Sequence, residues 1–295
     1  MGWVISLLPR NIEQIALALD ATNISDNFVV LSLNILLAGC GIPMAWCFVK
    51  ASEPGSWKPQ WQKLIEKLLD AIADNFQVIV TADRGLYACW LYQLIVEAGW
   101  HPFLRINHQG TYRLQDHQTW LPLAGVVPTP GRLWSGQVVC FQTNPVSCTL
   151  LARWDMGYKD PWLILTDLAP TQADPLWYRL RSSTECVYRE LKSDGWQWQH
   201  TRLLDPKRAE RLLLAIAVAS LWMVVLGGDA ENQFLDAPHT CFSESIEPPL
   251  RQVSCFLQGL LTLMANLLNN LPIRLPRWTS FPPTPVDHFY YPNSS

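Results

Sequence analysis

Apolar runs and helical periods alternate along the first hundred residues of the chain. Three apolar runs, whose short connections favour an antiparallel meander of strands, come first, over 14–19, 28–37 and 43–49. A helix, a strand, a helix and a strand are then predicted over 60–73, 76–80, 86–98 and 101–106. This order predicts an α/β fold with a mixed sheet, in which the first strand is central and the fourth runs parallel beside it.

Two aspartates follow strands that this pattern makes neighbours. Asp20 opens a predicted turn over 20–23 after the first strand, and Asp83 follows the fourth strand. Carboxyl ends of adjacent parallel strands lie close together and form the ligand sites of open α/β sheets, so the two carboxylates are expected side by side. Capping of the turn by Asp20 and of the next helix by Asp83 are the alternatives, and Asp26 is the rival of Asp20.

One helix of about twenty residues is predicted over 174–195, because Asp-Pro favours its start and Asp-Gly its end. At about 100° per residue, Tyr178, Arg181 and Lys192 fall on the same stripe as Glu185. A solvated face with an Arg181–Glu185 pair is the ordinary interpretation. A carboxylate centred among phosphate-binding groups is also what a metal-dependent site for nucleic-acid backbones needs.

The spacing Tyr-x₂-Arg-x₃-Glu-x₆-Lys of this helix resembles the signature of bacterial insertion-sequence transposases of family four. These are DDE-type, cut-and-paste recombinases with a ribonuclease-H-like core. The stretch ALDATN around Asp20 resembles the family's first catalytic motif, and VTADRG around Asp83 resembles its second. The resemblance extends from about Asp20 to Gly228. It implies a ribonuclease-H-like core of three antiparallel strands extended by parallel strands, with a β-rich insertion and C-terminal helices.

The resemblance also implies a chemistry. Asp20, Asp83 and Glu185 are expected to hold two Mg²⁺ or Mn²⁺ ions, with hydrolysis of a strand at the element's end and attack of the freed 3′-hydroxyl on target DNA. Hard oxygen ligands suit these ions better than zinc. The residues expected to contact DNA are Tyr178, Arg181, Lys192, Arg84 and Trp134. For Tyr178, packing in the core is the alternative.

Trp134 belongs to a segment that is longer than one crossover requires. Short apolar runs separated by Pro and Gly predict a β-rich insertion over 108–168, where the resembled family carries one. Its four tryptophans are Trp120, Trp134, Trp154 and Trp162. Trp162 precedes an apolar run and is interpreted as core. Burial is the default for the others, but one of them could stack on a base at the cleaved end, and Trp134 is our candidate.

The motifs divide the chain into four parts. A first part of the ribonuclease-H-like core covers 11–107, the insertion 108–168, a second core part with the glutamate helix 169–228, and a C-terminal helix and extended tail 229–295. The tail from residue 274 is rich in proline and is expected to be extended or disordered.

The composition of the chain indicates how it could bind DNA and in which compartment it acts. The net charge of −3 means that any affinity for DNA must come from a local patch. The eight cysteines form no CxxC pair, which indicates reduced thiols of a cytoplasmic bacterial protein. The apolar run 212–226 is shorter than the roughly 20 residues that span a bilayer and is interpreted as a buried helix, so no membrane partner is expected.

The resembled transposases place a helical end-binding domain before the first aspartate, which this chain is expected to lack. Weak, salt-sensitive DNA binding with little sequence preference would follow. Transposon ends and target DNA are the expected partners, with a homodimer on DNA or pairing with a full-length transposase. Two other functions stay open: a non-catalytic regulator that pairs with a full-length copy, and a nuclease of the same fold that cleaves without strand joining.

Overall fold

A ten-stranded mixed sheet forms the centre of the protein. The computed structural model describes residues 5, 13–37, 39–52, 55, 57–192, 195–236 and 253–273. The first five strands are β1 (Gln14–Ser25), β2 (Phe28–Leu37), β3 (Cys40–Lys50), β4 (Gln77–Ala82) and β5 (His101–Arg105). They lie in the order β3-β2-β1-β4-β5, with β1 to β3 antiparallel and β4 and β5 parallel to β1. The predicted fold class, an α/β ribonuclease-H-like core, is confirmed.

The turn predicted at Asp20 is wrong. β1 continues to Ser25, and the chain reverses at Asp26 and Asn27 instead. Pairing with β4 ends at Leu19, but pairing with β2 keeps the rest of β1 extended. Asp26 therefore lies six residues beyond Asp20, roughly 20 Å along an extended strand, which separates this rival from the strand ends that meet at Asp20.

The segment predicted as a β-rich insertion adds five strands to the same sheet. These are β6 (Thr111–Leu114), β7 (Leu121–Pro122), β8 (Arg132–Cys140), β9 (Val146–Trp154) and β10 (Trp162–Thr166). β10 pairs antiparallel with β5, and the sheet continues through β9, β8, β6 and β7. The division of the chain into four domains stays a prediction, but backbone hydrogen bonds connect the insertion to the core strands.

One face of the sheet is covered by α1 (Lys58–Leu69) and α2 (Cys89–Glu97). α1 buries Trp61, Leu64, Ile65 and Leu68, which recur at helical spacing, whereas Leu69 is 39% exposed. These side chains pack in one cluster with alternate residues of the central strands, among them Leu17, Leu19, Leu31 and Leu33. The two-residue period of the strands therefore leaves Asp20 on the opposite face.

The opposite face carries the predicted glutamate helix, which differs from the prediction. Residues Pro175–Arg181 form a 3₁₀ helix, and only Ser182–Leu191, here named α3, is α-helical. Tyr178 and Arg181 still share a face, because residues three apart eclipse one another in a 3₁₀ helix. Side chains of α3 pack in a second cluster on β2 and β3, with Val30, Phe48 and Leu191 among its members.

Two long helices complete the described part of the chain. α4 (Pro206–Asp236) includes the apolar run 212–226 that was interpreted as a buried helix, but it continues past Gly228, where the second core part was predicted to end. α5 (Cys255–Leu268) is the helix predicted within 229–295. The helices cross at backbone contact. A Cβ added at Gly227 would lie 1.9 Å from the carbonyl oxygen of Cys255, and one at Gly259 would lie 1.8 Å from that of Met223. The predicted extended tail from residue 274 falls outside the described residues.

The glycine crossing explains why α4 does not end at Gly228. A glycine pair normally favours the end of a helix, but here the missing side chains admit α5. Within the described residues, the stretch 206–230 of α4 is long and apolar enough to cross a membrane, yet 61% of its most apolar window is buried inside the protein. This agrees with its interpretation as a core helix.

Candidate active site

The parallel pair β1–β4 places the two predicted aspartates next to each other. Its last paired residues are Leu19 and Ala82, so Asp20 and Asp83 are the next residue on each strand. Asp20 stays within the sheet opposite Ser32 of β2, and its side chain is 18% exposed. Asp83 begins the connection to α2 and is more open to solvent.

All three predicted catalytic carboxylates contact one guanidinium group. Nη2 of Arg181 lies 3.9 Å from Oδ1 of Asp20 and 3.4 Å from Oδ2 of Asp83, and Nη1 lies 3.4 Å from Oε1 of Glu185. The two aspartate oxygens can therefore be no further apart than the sum of their distances to Nη2. The Arg181 side chain is 16% exposed, whereas that of Glu185 is 76% exposed at the rim. The structure thus brings Asp20, Asp83, Arg181 and Glu185 together.

The electrostatics of this cluster favour a cation. Burial raises the pKa of Asp20 above its ordinary value, while the Arg181 guanidinium and the backbone N–H of Ala21 act in the opposite direction. The neighbouring Asp83 and Glu185 carboxylates raise the pKa further. The Nε atom of Arg181 is buried and has no hydrogen-bond partner in the described part of the chain. Arg181 is therefore held by charge attraction and not by a saturated hydrogen-bond network.

Asp20→Asn is expected to raise the thermal stability of the metal-free protein at neutral pH. Since the folded-state pKa of Asp20 is raised, its ionisation costs stability. The cost grows as the pH rises above the unfolded value of about 4, is complete above the folded pKa, and vanishes at lower pH, where both states are protonated. Thermal unfolding of both proteins in a chelator, from about pH 4 to about pH 8, measures the difference. A less stable variant at neutral pH would show that the Arg181 contact outweighs burial.

The residues fit a divalent cation in the chemistry of their donors. Three carboxylates supply hard oxygen ligands and negative charge, which Mg²⁺ and Mn²⁺ prefer. In the present side-chain arrangement the carboxylates surround the guanidinium of Arg181. No group of three or more His, Cys, Asp or Glu residues is positioned to hold a metal ion anywhere in the described ranges. The positive charge at the point where the three carboxylates converge is the guanidinium of Arg181.

Tyr178 is buried beneath the cluster. Its hydroxyl donates to the backbone carbonyl of Ala82 at 3.3 Å, and its ring meets Trp162 edge-on with centroids 5.4 Å apart. Burial raises the pKa of the phenol, and Arg105 lies beside it. Tyr178 thus connects the 3₁₀ helix to the end of β4, directly before Asp83. The contact with a DNA phosphate stays a prediction, and in this structure the hydroxyl is used by Ala82.

Lys192 and Arg84 flank the carboxylates. Nζ of Lys192, at the end of α3, donates to the carbonyl oxygen of Asn23 at 2.8 Å, which lies three residues past Asp20 and so roughly 10 Å along β1. The backbone N–H of Arg84 donates to Oδ1 of Asp83 at 2.7 Å, and its guanidinium lies 3.9 Å from Asp160. Lys192 is thus bonded to β1 and the Arg84 guanidinium lies near Asp160, and the contacts of both residues with DNA stay predictions.

Trp134 lies away from the cluster. Its strand, β8, is four inter-strand steps from β4, roughly 19 Å, and its ring packs against Tyr112 with centroids 5.9 Å apart. Base stacking by Trp134 stays a prediction. Trp162, interpreted as core from its apolar neighbours, instead contacts Tyr178 and is half-buried at the site.

Sequence reasoning missed a buried polar group below Asp20 and Glu185. Oγ of Ser32 and the hydroxyl of Tyr188 are 2.5 Å apart, and Nδ2 of Asn34 donates to the same Oγ at 2.9 Å. The signal present in the sequence was two polar residues within the apolar run of β2, at alternate positions that share one face. Their partner on α3 is 156 residues away from Ser32, so no local pattern shows it.

A mixed sheet with two aspartates at adjacent strand ends and a glutamate on a helix across them defines the ribonuclease-H-like class of folds. The family model described as "Transposase DDE domain" matches residues 58–222, and the chain belongs to this family. The match includes Asp83 and Glu185, whereas Asp20 lies upstream of it. No curated protein matches the chain. The chain therefore carries the catalytic domain of a DDE transposase, a family of DNA-transferring enzymes that generally depend on divalent metal ions.

Proposed function

We propose that this protein is a divalent-metal-dependent transposase that cleaves one DNA strand at an element's end and joins the freed 3′-hydroxyl to target DNA. The single observation that carries the proposal is the convergence of Asp20, Asp83 and Glu185 on one guanidinium. Membership of the DDE transposase family supports it. The four-residue spacing on the glutamate helix favours family four within that group.

In this proposal Asp20, Asp83 and Glu185 would hold two Mg²⁺ or Mn²⁺ ions. Bound ions of this kind stabilise charge on the attacking and leaving oxygens of an in-line displacement. In cleavage, a water oxygen bonds to phosphorus and the 3′-oxygen leaves. In joining, that 3′-oxygen bonds to a target phosphorus and the target's own 3′-oxygen leaves.

The remaining polar residues bind and orient DNA. Arg181 suits bidentate contact with a phosphate, while Lys192 acts as a point charge at the outer end of α3. Arg84 extends the basic groups on the other side of Asp83. We expect the protein to act in the bacterial cytoplasm, and assembly as a homodimer on DNA or with another transposase copy stays a prediction.

Strand joining tests the proposal against its two competitors. The purified protein is incubated with Mg²⁺ or Mn²⁺, a target plasmid and two labelled duplexes, one uncut and one pre-cut, that carry any inverted repeat found beside the gene. Labelled DNA covalently joined to the plasmid is the expected result. Cleavage without joining would support the nuclease, and DNA binding with neither reaction would support the regulator; both outcomes overturn the proposal.

Lys192→Ala is expected to weaken binding to random duplex DNA several-fold and to lower the salt dependence of the affinity by about one phosphate contact. The loss should be equal on inverted-repeat DNA, because a phosphate contact carries no sequence information. Binding titrations at two salt concentrations measure both effects. Lys63→Ala is the matched control, since Lys63 is exposed on α1, across the sheet. Equal losses in both variants would contradict the role of Lys192.

A further inference from the structure

The polar group of Ser32, Asn34 and Tyr188 joins the two elements that carry Asp20 and Glu185. Ser32 is paired directly with Asp20 across β2 and β1, so their side chains share a face of the sheet. Tyr188 follows Glu185 by three residues on α3, one turn along the same helix. The short contact between the Tyr188 hydroxyl and Oγ of Ser32 therefore spans from one carboxylate-bearing element to the other.

Apolar packing alone would attach α3 to the sheet. Val30, Phe48 and Leu191 surround the tyrosine in one buried cluster, and Gly41 lets the helix approach closely, since a Cβ there would collide with the Val187 side chain. Burying polar groups among such residues costs free energy unless every group is bonded. Oδ1 of Asn34 and Oγ1 of Thr184 are buried without a hydrogen-bond partner in the described ranges. Attaching α3 to the sheet through these polar residues therefore costs more free energy than apolar packing would.

What a hydrogen bond adds to packing is direction. Its energy falls steeply with distance and angle, whereas apolar contacts tolerate sliding of one surface over another. Asn34 donates to Ser32 and so orients its hydroxyl, and Ser32 fixes the tyrosine ring at one height above β2. The height of α3 above the sheet determines how far Glu185 stands from Asp20.

We infer that Tyr188 is a positioning residue for the transposase reaction, which acts through Ser32 to hold Glu185 and Asp20 at the separation that a shared pair of divalent ions requires. The inference rests on the proposed function. A misplacement of about 1 Å in a reacting group can cost about 100-fold in rate, so loss of one hydroxyl has a measurable effect.

Tyr188→Phe removes the hydroxyl and keeps the ring. The expected result is a fall in kcat for strand cleavage of about 10-fold to 100-fold, an unchanged KM for DNA, and Mn²⁺ binding weakened several-fold in calorimetric titration. Ser32→Ala removes the other partner and should give the same loss. The double variant should be no worse than either single one, because both changes break the same bond.

Tyr92→Phe is the matched control. Tyr92 is also buried, on α2 at the opposite face, and its hydroxyl has no hydrogen-bond partner in the part of the chain that the structure describes. This variant shows what loss of a buried hydroxyl does when no hydrogen bond is broken, and its kcat and Mn²⁺ affinity should be unchanged. If Tyr188→Phe fails to fold, Ser32→Ala carries the same test with a smaller change in volume.

Three results would overturn the inference. These are wild-type kcat and Mn²⁺ affinity in Tyr188→Phe, additive losses in the double variant, or equal losses in Tyr92→Phe. Failure of the proposed function is distinct, because the unmodified protein itself would then fail to join the labelled duplex to target DNA. An active unmodified protein with an equally active Tyr188→Phe variant refutes the positioning role alone.

Discussion

Glu185→Gln is expected to abolish strand cleavage and joining, with a loss of at least about 1,000-fold, while the protein stays folded. The substitution keeps the size of the side chain and removes only its charge. The side chain is 76% exposed and its contact with Arg181 is an i,i+4 pair at 3.4 Å, so little stability depends on it. A carboxylate that holds a divalent ion, by contrast, contributes a negative charge that the neutral amide lacks.

The measurement compares joining and thermal unfolding of the two proteins in Mn²⁺. Glu97→Gln is the control, because Glu97 is an exposed carboxylate at the end of α2, on the other side of the sheet. It should leave both quantities unchanged. Retained joining in Glu185→Gln would contradict the assignment of the catalytic glutamate.

Gly259→Ala is expected to lower the free energy of unfolding by about 3 kcal/mol, although alanine favours a helix by about 1 kcal/mol. The added methyl group would lie 1.8 Å from the backbone oxygen of Met223, and a backbone atom cannot rotate away as a side chain can. α4 and α5 must therefore separate, which loosens the packing of Cys255 and Phe256 in the core. Gly227→Ala would place a methyl group 1.9 Å from the carbonyl oxygen of Cys255 on the facing helix and should lower stability similarly.

Urea unfolding measures this loss. Gly85→Ala is the matched control, since the same methyl group would have no other atom within 4 Å there. It should change stability by less than about 0.5 kcal/mol. A Gly259→Ala protein as stable as the control would mean that the two helices do not cross at backbone contact in solution.

The bounds of β2 were predictable from the sequence to the residue, because its apolar run is preceded by a polar pair and a glycine lies two residues past its end. The bounds of β3 and β4 were not: the predictions over 43–49 and 76–80 compare with Cys40–Lys50 and Gln77–Ala82 in the structure. The end of β1 was missed because residues 20–25 are largely polar and small. They are extended only because β2 pairs with them, and pairing between strands is not a local property of either one.

The candidate site was predictable where its residues follow regular elements. Asp20 and Asp83 are neighbours because topology alone brings parallel strand ends together. The Arg181–Glu185 pair follows from helical spacing, but the contacts of Arg181 with both aspartates depend on how α3 lies over the sheet. The 3₁₀ segment was not recognised, because Asp174 and Pro175 indicate where a helix starts and not which type of turn follows.

The continuous sheet fixes the distance between the outer strands and the carboxylates of the candidate site. Ten strands in one sheet span about 43 Å from β3 to β7, the length of about a dozen base pairs. β10 is hydrogen-bonded to β5, which pairs with the strand that precedes Asp83. A DNA duplex that lies across the strands would therefore contact one continuous sheet. The distance between a contact on the outer strands and the scissile phosphate would then depend on the number of strands between them.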